Sequence, residues 1–286
     1  MSAPAIQGRL VLSPHFVLFV GTGLCTRAHR HLSASITLSF DRPFRVSRGA
    51  ETREARLMLM RPDMEHALDA RDAHVVNLQL DPETELYARL RAGALHDREL
   101  VLDAEVDRVL LSRLHSACSD PARGAQAIVS DLLDRLGARE ALVEFDPRVA
   151  QALSLLKQAF PNGPSSAVIA KRVGASESRL MHLFREQVGV PLRRYTLWLR
   201  LRHLLFHVAA GFNLTHAAHA AGFADSAHFA RVFSAMFGVP PSALLRGDQV
   251  SRALLLEGPP SGPHAVQDAE RIRQLLAGAA AQSAAS

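Results

Sequence analysis

The sequence is poor in cysteine, in lysine and in long apolar runs, and each shortage removes a class of function. Cys25 and Cys118 are the only cysteines. They show no zinc spacing and imply no disulfide framework, so a reducing, cytoplasmic setting is expected. A DNA-repair methyltransferase, which needs zinc-spaced cysteines, is set aside on the same ground. The uncharged run 10–26, LVLSPHFVLFVGTGLCT, is shorter than the roughly 20 apolar residues of a membrane helix, and Pro14 and His15 interrupt it. Only Arg9 precedes it, and Leu24 is not the small residue that a lipoprotein cysteine follows. Neither secretion nor a membrane partner is expected. Lysine occurs only at positions 157 and 171, so arginine supplies almost all the positive charge.

What is present is ordinary globular material. The 286 residues are 48% hydrophobic, enough for two domains with sizeable cores. The net charge of +5 is unevenly spread. Residues 1–140 carry 18 basic and 19 acidic side chains, whereas 141–250 carry 12 against 6. The basic excess therefore sits in the second half, as a segment that neutralises phosphates requires.

That half holds two matched patterns. In GFADSAHFARVFSAMFGVPP (222–241), Asp225 or Ser226 can cap a helix whose apolar stripe is Phe229, Val232, Phe233 and Met236. Gly238 and Pro240–Pro241 end it. The other face carries Ala227, His228, Arg231 and Ala235: small residues around two polar ones, suited to close approach to another surface. A short helix capped by Asn213 and closed by Gly222 precedes it, which makes a helix-turn-helix. SSAVIAKRVGASESRLMHLFREQVGVP (165–191) repeats the layout. Val168, Ile169 and Val173 form the first apolar side and Gly174 the turn. Ser176 caps a second helix, with Leu180, Leu183, Phe184 and Val188 inward. Ser178, Arg179, His182 and Arg185 face outward with Met181 beside them. Between the copies, 191–211 is one continuous helical pattern of roughly 30 Å. A rod of that length can hold two reading helices in successive major grooves, about 34 Å apart.

Residues 148–246 resemble the AraC/XylS family of bacterial transcription regulators. The resemblance is carried by Ala218, Gly222, Phe223, Asp225, Phe229, Arg231, Phe233, Phe237, Gly238 and Pro241, and in the first half by Ala170, Gly174, Ser176, Leu180, Phe184, Gly189, Tyr195 and Arg200. Ser234 departs from the family's frequent Lys, and Leu244–Leu245 from its Tyr-Arg. The resemblance implies base reading by Ser178, Met181 and His182 in the first motif and by Ser226, Ala227, His228 and Arg231 in the second. Arg231 can take guanine by two hydrogen bonds. Arg179, Arg185, Arg193 and Arg194 are expected on phosphates, which position without specifying. For Arg193 and Arg194 a plain solvated surface is an equal reading. The family also implies double-stranded DNA and RNA polymerase as partners, a homodimer and a small-molecule effector.

Residues 6–80 alternate apolar and polar side chains in SITLSF (35–40) and VVNLQL (75–80), the period of half-buried strands. Gly23, His29 and His31 have the G-x5-H-x-H spacing of the first cupin motif, and Pro62 and His66 resemble part of the second. LSAS follows where metal cupins carry Glu. His29, His31 and His66 are accordingly placed in an effector pocket, lining the barrel without metal, and no cofactor or catalytic residue is assigned. Cys25 is a weaker candidate for a redox sensor. Residues 103–137 hold two amphipathic helices, with stripes Val106, Val109, Leu110, Leu114 and Ile128, Val129, Leu132, Leu133, Leu136. These pack on the barrel or on a second copy.

The expected architecture is α+β and multidomain: a cupin-like effector domain (1–102), a helical linker or dimerisation region (103–140), an all-α domain with two helix-turn-helix motifs joined by a long helix (141–250), and a tail (251–286). The function that follows is sequence-specific DNA binding under effector control. A metal-dependent cupin enzyme fused to a DNA-binding module and a sequence-independent DNA-bending protein are the alternatives. Activator and repressor are not distinguished, nor is the operator.

Overall fold

The computed structural model describes residues 5–245, apart from 14, 99, 139–143 and 210. The tail 251–286, and with it an expected helix over 265–279, lies outside the described residues.

The first half is built of β1 (Gln7–Leu12), β2 (Phe16–Thr22), β3 (Leu24–Cys25), β4 (His29–Arg30), β5 (Ala34–Ser39), β6 (Phe44–Arg48), β7 (Glu51–Ala55), β8 (Leu57–Met60), β9 (Glu65–Ala70), β10 (Val75–Leu80), α1 (Glu85–Ala92) and β11 (Leu100–Asp103). α2 (Arg108–Cys118) and α3 (Pro121–Arg135) follow. One antiparallel sheet runs β1-β2-β10-β5-β8-β11 and a second β3-β9-β6-β7, with β4 beside β9. Leu10, Leu12, Val17, Phe19 and Met58 of the first sheet share a core with Leu24, Val46, Leu68 and Ala70 of the second. The sheets thus face each other across a common interior, as in an opened barrel.

The other face of the larger sheet is covered too. Leu18, Val20, Ile36, Leu38, Leu57, Leu59, Val76 and Leu78 pack against Leu90 of α1, Leu110 and Leu114 of α2, and Ile128 and Leu132 of α3. This corrects one expectation. β5 and β10 alternate, yet they are not half-solvated: Ser35, Thr37, Ser39 and Gln79 are buried. Their polar edge faces the interior. Pairing Thr37 with Asn77 and Ser35 with Gln79 in register lets Asn77 donate to Thr37 (2.8 Å) and Gln79 to Ser35 (3.0 Å) and to Asn77 (2.8 Å), while Ser33 donates to Gln79 (2.6 Å). Every partner is satisfied locally, so a polar seam can line an apolar lumen. Val106 just before α2, and Leu110 and Leu114 within it, are buried inside the chain while Val109 is 69% exposed, so most of the expected stripe is used up internally.

The second half is helical: α4 (Pro147–Gln158), α5 (Ser166–Arg172), α6 (Glu177–Val188), α7 (Leu192–Ala209), α8 (Leu214–Ala220), α9 (Ser226–Phe237) and α10 (Pro241–Leu244). α4, α5, α6 and the start of α7 close one core around Leu153, Ile169, Leu180, Phe184 and Tyr195. The rest of α7 with α8 and α9 forms no separate core. Trp198, Leu201, Leu205, Ala218, Phe229, Phe233 and Met236 are continuous with the barrel interior. α7 is the spacer expected from 191–211, shorter at 18 residues, about 27 Å.

Candidate DNA-reading surface and effector cavity

The two motifs are built alike from their caps. Ser176 accepts a hydrogen bond from the Arg179 amide (3.2 Å) and Asp225 from the His228 amide (2.6 Å), each satisfying an orphan donor of the first turn. The His228 amide, and after it the Arg231 charge, holds the Asp225 carboxyl below its ordinary pKa. Gly174 and Gly222 make the turns at φ +68° and +76°, and Gly189 and Gly238 end the reading helices in the left-handed region at +88° and +68°.

Of the candidate base-reading side chains only Met181 packs against a core, at the edge of the first. Ser178, His182, Ser226, Ala227 and Arg231 are exposed, and Met181 and His228 are half-buried. His182 pairs with Glu186 at 3.8 Å, and His228 rests edge-on against Phe223 at 5.6 Å between centroids. Arg179, Arg185 and Arg193 are exposed. Arg194 differs: it is half-buried and ion-paired with Asp63 of the barrel. In this arrangement it ties the domains together and is not offered to phosphate.

His29, His31 and His66, 37 residues apart in sequence at the extremes, come together in the barrel interior, because β4 pairs with β9 and sets His29 opposite His66. All three are buried, and one nitrogen from each lies within 4.8 Å of the others. His29 Nδ1 faces the Arg27 carbonyl at 2.8 Å and His66 Nδ1 the Met64 carbonyl at 3.1 Å. A carbonyl only accepts, so both rings carry their proton on Nδ1 and present a bare Nε2. His31 Nε2 lies 3.1 Å from that of His29, and its own Nδ1 is buried without a hydrogen-bond partner. Burial pushes all three imidazoles toward the neutral form, His66 down to about 4. Three neutral imidazoles, two of them with carbonyl-fixed tautomers, fit a first-row transition ion. A tetrahedral site needs nitrogens about 3.4 Å apart, so small ring movements would suffice.

The cavity over these rings has a free volume of about 50 Å³. Asn77, Gln79 and Thr26 line it with apolar side chains, and its remaining wall is Phe237 and Leu244 from the other domain. Gly238 seals the contact: its carbonyl accepts from the Arg27 amide at 2.9 Å. A Cβ at position 238 would lie 2.5 Å from the Arg27 carbonyl oxygen and 2.7 Å from His29 Nδ1.

A family model described as a helix-turn-helix domain matches residues 169–247, both motifs and the spacer. These residues form a helix-turn-helix domain. The HTH-type transcriptional activator RhaS of Escherichia fergusonii is 34% identical over 109 residues, 37% of this chain and 38% of that protein. RhaS of Enterobacter sp. (strain 638) is 31% identical over 123 residues, 42% and 44% of the two chains. The chain thus spans less than half the length of these curated relatives. Among solved structures, an apo form of ToxT from Vibrio cholerae superposes with a TM-score of 0.56 over 86% of this chain and 97% of ToxT, at 14% identity. ToxT bound to an unsaturated fatty acid gives 0.52 over 84% and 93% at 14% identity. The two-domain fold is therefore that of ToxT.

The helix-turn-helix half makes buried polar contacts to the barrel side that sequence reasoning did not assign. Trp198 donates to Asp81 at 3.2 Å, Arg202 pairs with Asp81 and donates to the Ser13 carbonyl, and Tyr195 donates to Glu83 at 2.9 Å. Lys157 also reaches Glu83. Part of the signal was available: Trp198, Leu201, Leu204, Leu205 and Phe206 spread over more than one side of α7, as in a helix covered from several directions. Phe237 and Leu244 as cavity walls had no local signal, since their partners lie some 200 residues away.

Proposed function

We propose that the chain is an AraC-type transcription activator that reads two adjacent major-groove segments and answers to a ligand in its barrel. The observation that carries this reading is the pair of matched capped helices whose polar edges stay outside two differently built cores. Ser178, Met181 and His182 read bases in the first segment, and Ser226, Ala227, His228 and Arg231 in the second. Arg179, Arg185 and Arg193 contact phosphates. RhaS is a transcriptional activator, which supports activation through RNA polymerase here. ToxT structures hold an unsaturated fatty acid and a naphthalenyl-butenoic acid, which supports the barrel as the effector domain. The domains we infer are the barrel with α1, the α2–α3 layer, and the DNA-binding half. A homodimer and a cytoplasmic, non-enzymatic role complete the reading.

Selection of bound sequences from random duplexes tests it. Two half-sites about one helical turn apart are expected. Absence of any enriched sequence would leave a sequence-independent binder in its place.

A further inference from the structure

We infer that the cleft between α1 and the end of α6 is a second ligand site, built for a zwitterion of amino-acid or dipeptide size. The inference goes beyond the regulator reading, because this cleft lies outside the barrel interior.

The cleft has a free volume of about 520 Å³, against about 50 Å³ over the histidines. Small-molecule sites occupy roughly 300–1,000 Å³. Its walls come from both halves of the chain, and they differ in charge. Arg61 and Arg91 stand on the barrel side, half-buried. Arg61 Nη2 donates to the Leu95 carbonyl and to that of His96 at 3.2 Å, and Arg91 Nη1 donates to the Gln187 carbonyl at 2.7 Å. These acceptors are neutral. Among the described residues neither guanidinium is ion-paired with a carboxylate, and Arg61 Nε is buried with no hydrogen-bond partner. Arg91 lies 5.8 Å from the Tyr87 ring, whose phenol burial keeps in its protonated, donating form. Two guanidiniums without a counter-charge suit a carboxylate, whose two oxygens match the fork of an arginine.

Glu144 and Glu186 stand on the side of the helical half, and both are exposed. The half-buried lining is thus positive and the exposed rim negative. A simple anion would have to pass the carboxylates, and a simple cation would meet the guanidiniums within. A molecule carrying both charges answers each: its carboxylate goes to Arg61 and Arg91, its ammonium to the rim. Pro82, Ala92 and Phe145 give the carbon skeleton between them an apolar wall.

Arg91 joins this site to the first reading helix. Gln187 belongs to the last turn of α6, and its side chain accepts from the Asp146 amide at 2.9 Å, at the cap of α4. A ligand that bridges the two walls therefore favours the docked position of the first motif.

The test uses the full-length protein and saturation-transfer NMR with the twenty free amino acids and a set of glycyl dipeptides, followed by titration of the best binder. One molecule per chain is expected. Acetylating its amine or amidating its carboxylate should each weaken it measurably, the second by about tenfold or more. Acetate and inorganic phosphate should bind at least about tenfold more weakly than the zwitterion. Arg91→Gln should weaken binding by about tenfold, and Glu186→Gln by about threefold. His66→Asn, in the other cavity, should bind as the parent does. The ligand should slow exchange of the Asp146 amide. Absence of any binder overturns the site, as does binding untouched by Arg91→Gln or lost in His66→Asn. Phosphate or acetate binding as tightly as the zwitterion, or indifference to acetylation, overturns the zwitterion assignment. None of these readouts uses DNA, so they stand even if selection returns no operator.

Discussion

The two helix-turn-helix motifs have the same caps and turns, but they stand on different ground. The first closes its own core with α4 and the start of α7, and meets the barrel through polar contacts such as Arg91 to the Gln187 carbonyl (2.7 Å). The second has no core of its own: Phe229, Phe233 and Met236 belong to the barrel's. The difference teaches where control can enter. A change inside the barrel has an apolar path to α9, whereas α6 can keep its shape while that change takes place.

The sharpest way to break this contrast is to cut the junction. Asp81 and Arg202 are both buried and paired, so Asp81→Ala takes the neutralising carboxylate from a buried guanidinium that keeps neutral acceptors such as the Ser13 carbonyl, and should cost about 3–5 kcal/mol. Urea unfolding should show it, with α7 becoming open to proteolysis. An unchanged midpoint would mean the domains are not held there. Next come matched core deletions. Phe233→Ala should cost about 3–5 kcal/mol and lower the thermal transitions of barrel and reading domain together. Leu180→Ala, at about 2–5 kcal/mol, should lower only the DNA-binding half in calorimetry. Equal effects on the barrel from both would erase the distinction between the motifs.

Smaller effects sharpen the comparison at the DNA. Arg231→Ala should lose about 1–3 kcal/mol at one base pair and relax preference there, measured by competition with point-substituted operators. An equal loss on every sequence would move Arg231 to the backbone. The smallest effect is on pH. Asp225's pKa is depressed in the folded state, so its capping contribution is present above the ordinary carboxylate pKa and fades as pH falls through the lowered one. The first turn of α9 should therefore fray in acid while that of α6, capped by the non-titrating Ser176, does not. Amide exchange at His228 and Arg179 compares them.

The helical half was legible in advance because its signals are local. Caps at Ser176, Asn213 and Asp225, glycines at 174, 189, 222 and 238, and the inward stripes need only a few residues to be recognised, and the structure has them in those roles. The barrel was legible only in kind. Alternation in 35–40 and 75–80 marks two unlike faces, but not whether the polar one meets water or a lumen. The histidines were picked out by spacing, and the structure brings them together; that Phe237 and Leu244 close over them depends on tertiary packing. Arg194 illustrates the same limit, since a basic residue looks alike beside a phosphate or beside Asp63. The apolar stripe through Val109 fails for a related reason: a helix on a curved sheet buries a narrower arc than its sequence offers.

Gly189 and Gly238 occupy equivalent places, and yet one added methyl would mean different things at each. At 189 an alanine has ordinary neighbours no closer than 3.5 Å and suffers chiefly from its backbone angle. At 238 the same carbon would be driven into Arg27 and His29 of the barrel. The chain therefore carries a natural pry-point, where the smallest side chain in the code lets α9 close on the barrel. A hunt for signal-blind alleles has good reason to begin there.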